Sequence, residues 1–170
     1  VNEPTAYALR AREGDQASAT LFVQETQAEV WRFVAALVDG QSADDLTQET
    51  FLRAFRALPS FAGRSSARTW ILGIARRVCA DHLRSVVRRR RLQARVLAQP
   101  WSGDVPDPAG ALAAADLLRG LPDDRRSAFV LTQIVGLSYA EAAEVEEVPM
   151  GTIRSRVARA RAALIEAMRP

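Results

Sequence analysis

At 170 residues, 48% of them apolar and with no run near the ~20 needed to span a bilayer, the chain can hold one domain or two small ones. One cysteine excludes an internal disulfide and any multi-cysteine zinc site, and one histidine with no glycine-rich phosphate loop leaves no credible metal, cofactor or enzyme active site. The net charge of +3 hides two basic blocks: residues 51–95 hold 12 Arg and 1 acid (net +11), and residues 148–170 hold 5 Arg and 1 acid (net +4).

The first helical pattern covers about residues 2–13 and the second about 16–38, within an acidic stretch (residues 1–50 hold 3 Arg and 9 acids, net −6). The third, 42–57, can be capped by Ser42 and Asp45. Leu46, Thr50, Phe51, Ala54, Phe55 and Leu58 share the half of its wheel that can bury; Asp45, Gln48, Glu49, Leu52, Arg53 and Arg56 share the other. Leu52 ringed by polar groups is an apolar centre with a polar rim, the composition of a protein-docking patch.

Phe61 to Arg68, FAGRSSAR, is a Gly/Ser-containing loop rich in hydrogen-bonding groups. It leads into a helix over 65–92 whose inward stripe is Trp70, Ile71, Ile74 and Val78, with His82 on the same stripe, and whose outward arc carries Thr69, Arg76, Arg77 and Arg84, then Arg88 to Arg91. A polar loop beside a basic helix suits single-stranded or melted DNA, the loop holding an unstacked base while the helix follows phosphates. Trp70, on the apolar side, is assigned to core packing.

Residues 98–110, AQPWSGDVPDPAG, have three prolines and no helical period, which reads as a linker with Trp101 as an anchor on a neighbouring surface. Beyond it four more helices are predicted, over 111–119, 122–135, 138–146 and 149–168, with Gly136 as a C-cap. The last two form a helix-turn-helix pattern. Ser138 and Glu141 make a capping box, and Val148-Pro149 breaks one helix and opens the next. In the final helix Ile153, Val157, Ala160 and Leu164 form the apolar stripe, and Gly151, Arg154, Ser155, Ala158 and Arg159 lie opposite. Arginines that can bond bidentately to guanine, beside small residues that permit close approach, suit a major groove. An ordinary helical hairpin with a solvated basic face would share the pattern. Two separate basic blocks fit two polyanion contacts better than one solvated face, and the acidic blocks are able to occupy the basic surfaces in cis.

The expected fold is therefore all-α: two small helical domains joined by a flexible linker, divided at 1–95, 96–110 and 111–170. The N-terminus carries no basic and apolar leader and the cysteine stands alone, so the expected location is the cytoplasm.

Together these segments resemble the extracytoplasmic-function (ECF) sigma factors, the compact promoter-recognition subunits of bacterial RNA polymerase. ADDLTQETFLRAFRAL (43–58) resembles their region 2.2, FAGRSSARTWILGIARRVCADHLR (61–84) regions 2.3 and 2.4, and the stretch from Leu121 to Leu164 region 4. The resemblance implies core polymerase as partner through its β′ clamp helices and β flap, promoter DNA as the second, and an anti-sigma factor as a candidate third. It assigns Asp45, Gln48, Glu49, Leu52 and Arg53 to polymerase docking. It assigns Gly63, Arg64, Ser65, Ser66 and Arg68 to capture of a flipped −10 base, and Arg76 and Arg77 to the upstream edge of that element. Arg154, Ser155 and Arg159 would enter the −35 major groove, with Arg156 nearer a phosphate. Three positions depart from the family pattern: Glu147 stands where Gly is usual, Ala62 and Arg64 replace the usual Arg and Glu, and Arg77 stands where Asn is common. The alternative is a one-component helix-turn-helix regulator with an N-terminal sensor, for which a +11 block has no use.

Overall fold

Capping side chains decide where the first helices begin. In the computed structural model, which describes residues 2–97 and 111–169, Asn2 accepts from the Thr5 N–H to open α1 (Glu3–Arg12) and Asp15 from Ala17 and Ser18 to open α2 (Gln16–Leu37). α3 (Gly40–Ala57) is capped not by Ser42 and Asp45, as the sequence suggested, but by Asp39. The Asp39 carboxylate takes both the N–H (2.9 Å) and the hydroxyl (3.0 Å) of Ser42, so the helix starts earlier and Ser42 falls in its first turn. A 3-10 turn, Leu58–Ser60, leads to the loop before α4 (Ala67–Leu97).

These four helices bury Phe22, Val30, Phe33 and Val34 of α2 in one core with Ile71, Leu72 and Val78 of α4, joined by Ala8 of α1 and Ala54 of α3. Each large side chain removed from water in this way contributes about 1.5–3 kcal/mol. α4 is the longest element, and beyond Ala80 most of it stands clear of the bundle. That is why His82, expected in the core, is only half-buried, near Asp39.

The second unit comprises α5 (Ala111–Arg119), α6 (Asp123–Phe129), α7 (Tyr139–Glu146) and α8 (Met150–Ala167). The helix predicted over 122–135 does not stay regular: Val130–Ile134 forms a π turn, with the Val135 N–H bonded to the Val130 carbonyl at 2.9 Å. The wider turn keeps Val130, Leu131 and Val135 buried before Gly136, at φ 82, ends the run. α7 carries the predicted capping box. The turn into α8 depends on Glu147, which sits in the left-handed region (φ 55, ψ 42) at a cost on the order of 1 kcal/mol for a residue with a Cβ. Ile153, Val157 and Ala160 face the core, while Leu164 is half-buried.

The two units pack on each other, α4 against α7 and α2 against the π turn, α5 and α6, and their buried side chains form one continuous core. The predicted linker and Trp101 lie outside the described residues. Among the described residues no helix is long and apolar enough to cross a membrane.

Candidate nucleic-acid interface

The 61–68 loop is held at both ends. Phe61 is buried, and its carbonyl accepts from Arg12 of α1 (2.8 Å). Gly63 has φ 68 with Leu9 close beside it, so the bend needs glycine. The Ser66 hydroxyl accepts from the Thr69 N–H (3.0 Å), which makes Ser66 the cap of α4 as well as a candidate base contact. Thr69, placed by the sequence on the outward arc, is buried, with its hydroxyl 2.9 Å from that of Ser66. Trp70 is half-buried, 4.6 Å from the Phe61 ring and 6.4 Å from that of Phe22, and so packs rather than projects. Arg64 is exposed and Ser65 half-buried.

Arg68 turns away from the loop tip. It forms a bidentate pair with Glu29 of α2 (2.8 and 2.5 Å) and donates to the Val135 carbonyl (2.8 Å). The Glu29 hydrogen bonds raise its guanidinium pKa above the ordinary value. Arg76 and Arg77 are engaged too, with Glu146 and Glu147 of the second unit. Sequence reasoning could place these arginines on a common arc of α4 but had no means of seeing what covers them. Farther along, Leu83, Arg84, Val87, Arg88 and Arg91 of α4, with Asp123 at the start of α6, line an open cleft of about 490 Å³.

α8 presents Arg154, Ser155 and Arg159 outward, as its wheel predicts, with the Ser155 hydroxyl donating back to the Thr152 carbonyl (2.9 Å). Arg156 differs. Its guanidinium lies between Asp124 (3.2 Å) and Glu146 (3.4 Å), tying α8 to α6 and α7 inside its own unit. The resemblance placed it nearer a phosphate; here these two carboxylates are what it faces. Its position one residue past Ser155 turns it toward the flank where both acids converge.

On α3, Asp45, Gln48 and Leu52 are exposed, Leu52 by 54%. Arg53 is bonded to Glu49 (2.7 Å) and to Asp81 of α4 (2.9 Å), so this pair serves to tie α3 to α4. Hydrogen bonds from Arg53 and then Arg84 hold the Asp81 carboxyl below the usual range. Phe55, expected inside, is exposed because it follows Leu52 by three residues on the same face. Sequence reasoning also missed Trp31 of α2, 44% exposed, whose indole N–H donates to Asp44 of α3 (2.7 Å). Cys79 is fully buried and desolvation pushes its thiol up to about 12. It is expected to resist alkylation in the native protein near neutral pH and to react fully once unfolded, as mass spectrometry would show.

Residues 22–90 match the family model Sigma-70 region 2 and residues 111–164 match Sigma-70, region 4. The chain is 49% identical over 169 residues (98% of this chain, 91% of the relative) to the ECF RNA polymerase sigma factor SigC of Mycobacterium tuberculosis. It is 34% identical over 178 residues (95% and 91%) to the RNA polymerase sigma-H factor of Pseudomonas aeruginosa. Among solved structures, CnrH in complex with the cytosolic domain of CnrY matches with a TM-score of 0.77 at 25% identity, over 98% of this chain and 97% of that one. The sigma factor RpoE of Bartonella quintana, in complex with the anti-sigma factor NepR, matches with a TM-score of 0.70 at 26% identity, over 86% and 94%. A regulator with a sensor half is excluded, since the N-terminal half is itself region 2. The chain belongs to the extracytoplasmic-function sigma factors and is an alternative sigma factor, with core RNA polymerase and promoter DNA as its partners.

Proposed function

We propose that three surfaces divide promoter recognition among them. The α3 face around Leu52 docks on the β′ clamp helices, the 61–68 loop with Arg76 and Arg77 takes the −10 element, and Arg154, Ser155 and Arg159 read the −35 element. Residues 1–95 and 111–170 act as the two working domains on either side of a 96–110 linker, the second of them also meeting the β flap. The observation carrying this reading is the orientation of α8: Arg154, Ser155 and Arg159 lie exposed on one face, opposite the buried stripe of Ile153, Val157 and Ala160. The protein acts in the cytoplasm as an initiation factor and leaves the chemistry to polymerase. An anti-sigma factor is a further partner in this reading, because one of the matched structures is the sigma factor RpoE solved with the anti-sigma factor NepR.

Transcription in vitro with core polymerase on a randomised promoter library tests the reading. Enriched promoters should share two sequence blocks, and Arg154→Ala should alter only the upstream one. A library enriched in a single block, or one untouched by that substitution, would overturn the division.

A further inference from the structure

Reading bases with Arg154 and Arg159 requires more than their exposure. A roll of α8 by about 10° about its own axis carries a side-chain tip, about 5–6 Å from that axis, through about 1 Å. A binding constellation has to be held to about 0.5 Å and about 10–20° by the groups that support it. The buried stripe is a poor brake on such a roll. Ile153, Val157 and the small Ala160 hold α8 down by apolar contact, which has no direction of its own.

Polar ties stand on both sides of the stripe. On a wheel of about 100° per residue, Arg156 falls about 60° to one side of Ile153 and Arg161 about 80° to the other. On the first side the Arg156 guanidinium reaches two helices at once, with Nε 3.2 Å from Asp124 Oδ2 of α6 and Nη1 3.4 Å from Glu146 Oε2 of α7. Glu146 is itself anchored. Its side chain is only 3% exposed, and its Oε1 accepts from the buried Ser127 hydroxyl of α6 and, at 2.9 Å, from Arg76 of α4. A carboxylate this buried persists only when it is well paired, so Arg156 has a fixed target. On the other side Arg161 donates to Gln133 Oε1 in the π turn (2.6 Å). The two ties carry unequal weight. Arg161 and Gln133 are both exposed, and water competes for their hydrogen bond. Arg156 is 21% exposed, and one planar fork holds both carboxylates.

We propose that Arg156 is the positioning residue of the recognition helix: without touching a base, it sets the roll at which Arg154 and Arg159 meet the −35 groove. The proposal rests on the reading of Arg154 and Arg159 as −35 contacts. Because Arg156 acts through both of them, its loss has a signature that a lost base contact lacks. Preference fades together at the bases that each arginine reads, while the sequence-blind attraction to phosphate is kept.

The test uses holoenzyme and a set of −35 duplexes, each with one mismatch to the sequence selected from the promoter library. Binding is measured at a temperature where circular dichroism shows every variant folded. Arg154→Ala and Arg159→Ala first mark the bases that each arginine reads. Arg156→Lys keeps the charge that Glu146 needs but replaces the planar fork with a single ammonium. It should lower the ratio of matched to mismatched affinity by about threefold to tenfold at both sets of bases, with affinity for mismatched duplex unchanged. Asp124→Ala, at a half-exposed position, removes one of the two holds. It should lower the same ratios by about twofold to threefold, and add nothing to Arg156→Lys, whose ammonium already serves Glu146 alone. Arg161→Ala should change them by less than about twofold. Lower melting temperatures with every ratio unchanged in Arg156→Lys and Asp124→Ala would make Arg156 a stabilising residue only and overturn the proposal. Ratios unchanged in Arg154→Ala and Arg159→Ala would instead overturn the −35 reading, and the proposal with it.

Discussion

Leu52→Asp is expected to lower affinity for core RNA polymerase by more than about a hundredfold, on the order of 3 kcal/mol, because a charge would have to enter the apolar centre of a docking patch. Leu52 is 54% exposed, so the substitution removes no core packing and should leave the melting temperature of the isolated chain unchanged. Asp45→Ala and Gln48→Ala, which trim the polar rim, should each weaken binding by about tenfold or less. Arg53→Ala is a different kind of change. It severs Glu49 and Asp81 from their shared partner and loosens the packing of α3 on α4, so its effect should appear partly as reduced stability. Competition for core polymerase against a labelled wild-type chain measures all four. Core affinity unchanged in Leu52→Asp, Asp45→Ala and Gln48→Ala together would remove α3 from the docking surface.

A comparably large effect is expected on α8. Arg154→Ala should cost about 1–3 kcal/mol on the cognate −35 duplex and relax preference at one position, because a bidentate hydrogen bond to one base disappears. Arg88 to Arg91, an exposed run on α4, should behave otherwise. Neutralising it should weaken binding on every sequence and flatten the salt dependence by up to about one unit for each phosphate no longer neutralised. Arg156→Ala should mainly reduce thermal stability, since it strips the charge that holds Asp124 and Glu146. Holoenzyme binding to matched and mismatched −35 duplexes across a salt series separates these behaviours. If Arg154→Ala lowered affinity equally on both duplexes, Arg154 would be bound to a phosphate and the orientation of α8 would need revision.

What could be read from the sequence follows from what is local. Capping boxes, helix breakers and apolar spacing act within a few residues, so Ser138, Glu141 and the Ile153–Val157–Ala160 stripe appear in the structure where their spacing put them. The errors arise where a neighbouring turn or a distant surface decides. Asp39 displaced Ser42 and Asp45 as a cap because a carboxylate just outside the helical pattern reached Ser42 first. Thr69 is buried with its hydroxyl against Ser66, a loop contact that no periodicity shows. That Arg68 pairs with Glu29, and Arg156 with Asp124 and Glu146, could not be read beforehand, because those partners are set by how helices pack. The charge map did carry one long-range message, since acidic blocks alternating with basic ones already allowed pairing in cis. Which residues would pair could not be read without the fold.

The pairing of Arg76 and Arg77 with Glu146 and Glu147 also bears on where the protein spends its time in a cell. A chromosome offers on the order of a million or more competing non-specific sites, and basic surfaces bind them through counterion release without regard to sequence. A +11 segment left uncovered would be spread along that lattice by mass action, and little of it would meet polymerase. Turning part of that charge inward keeps the idle molecule in the diffusing pool.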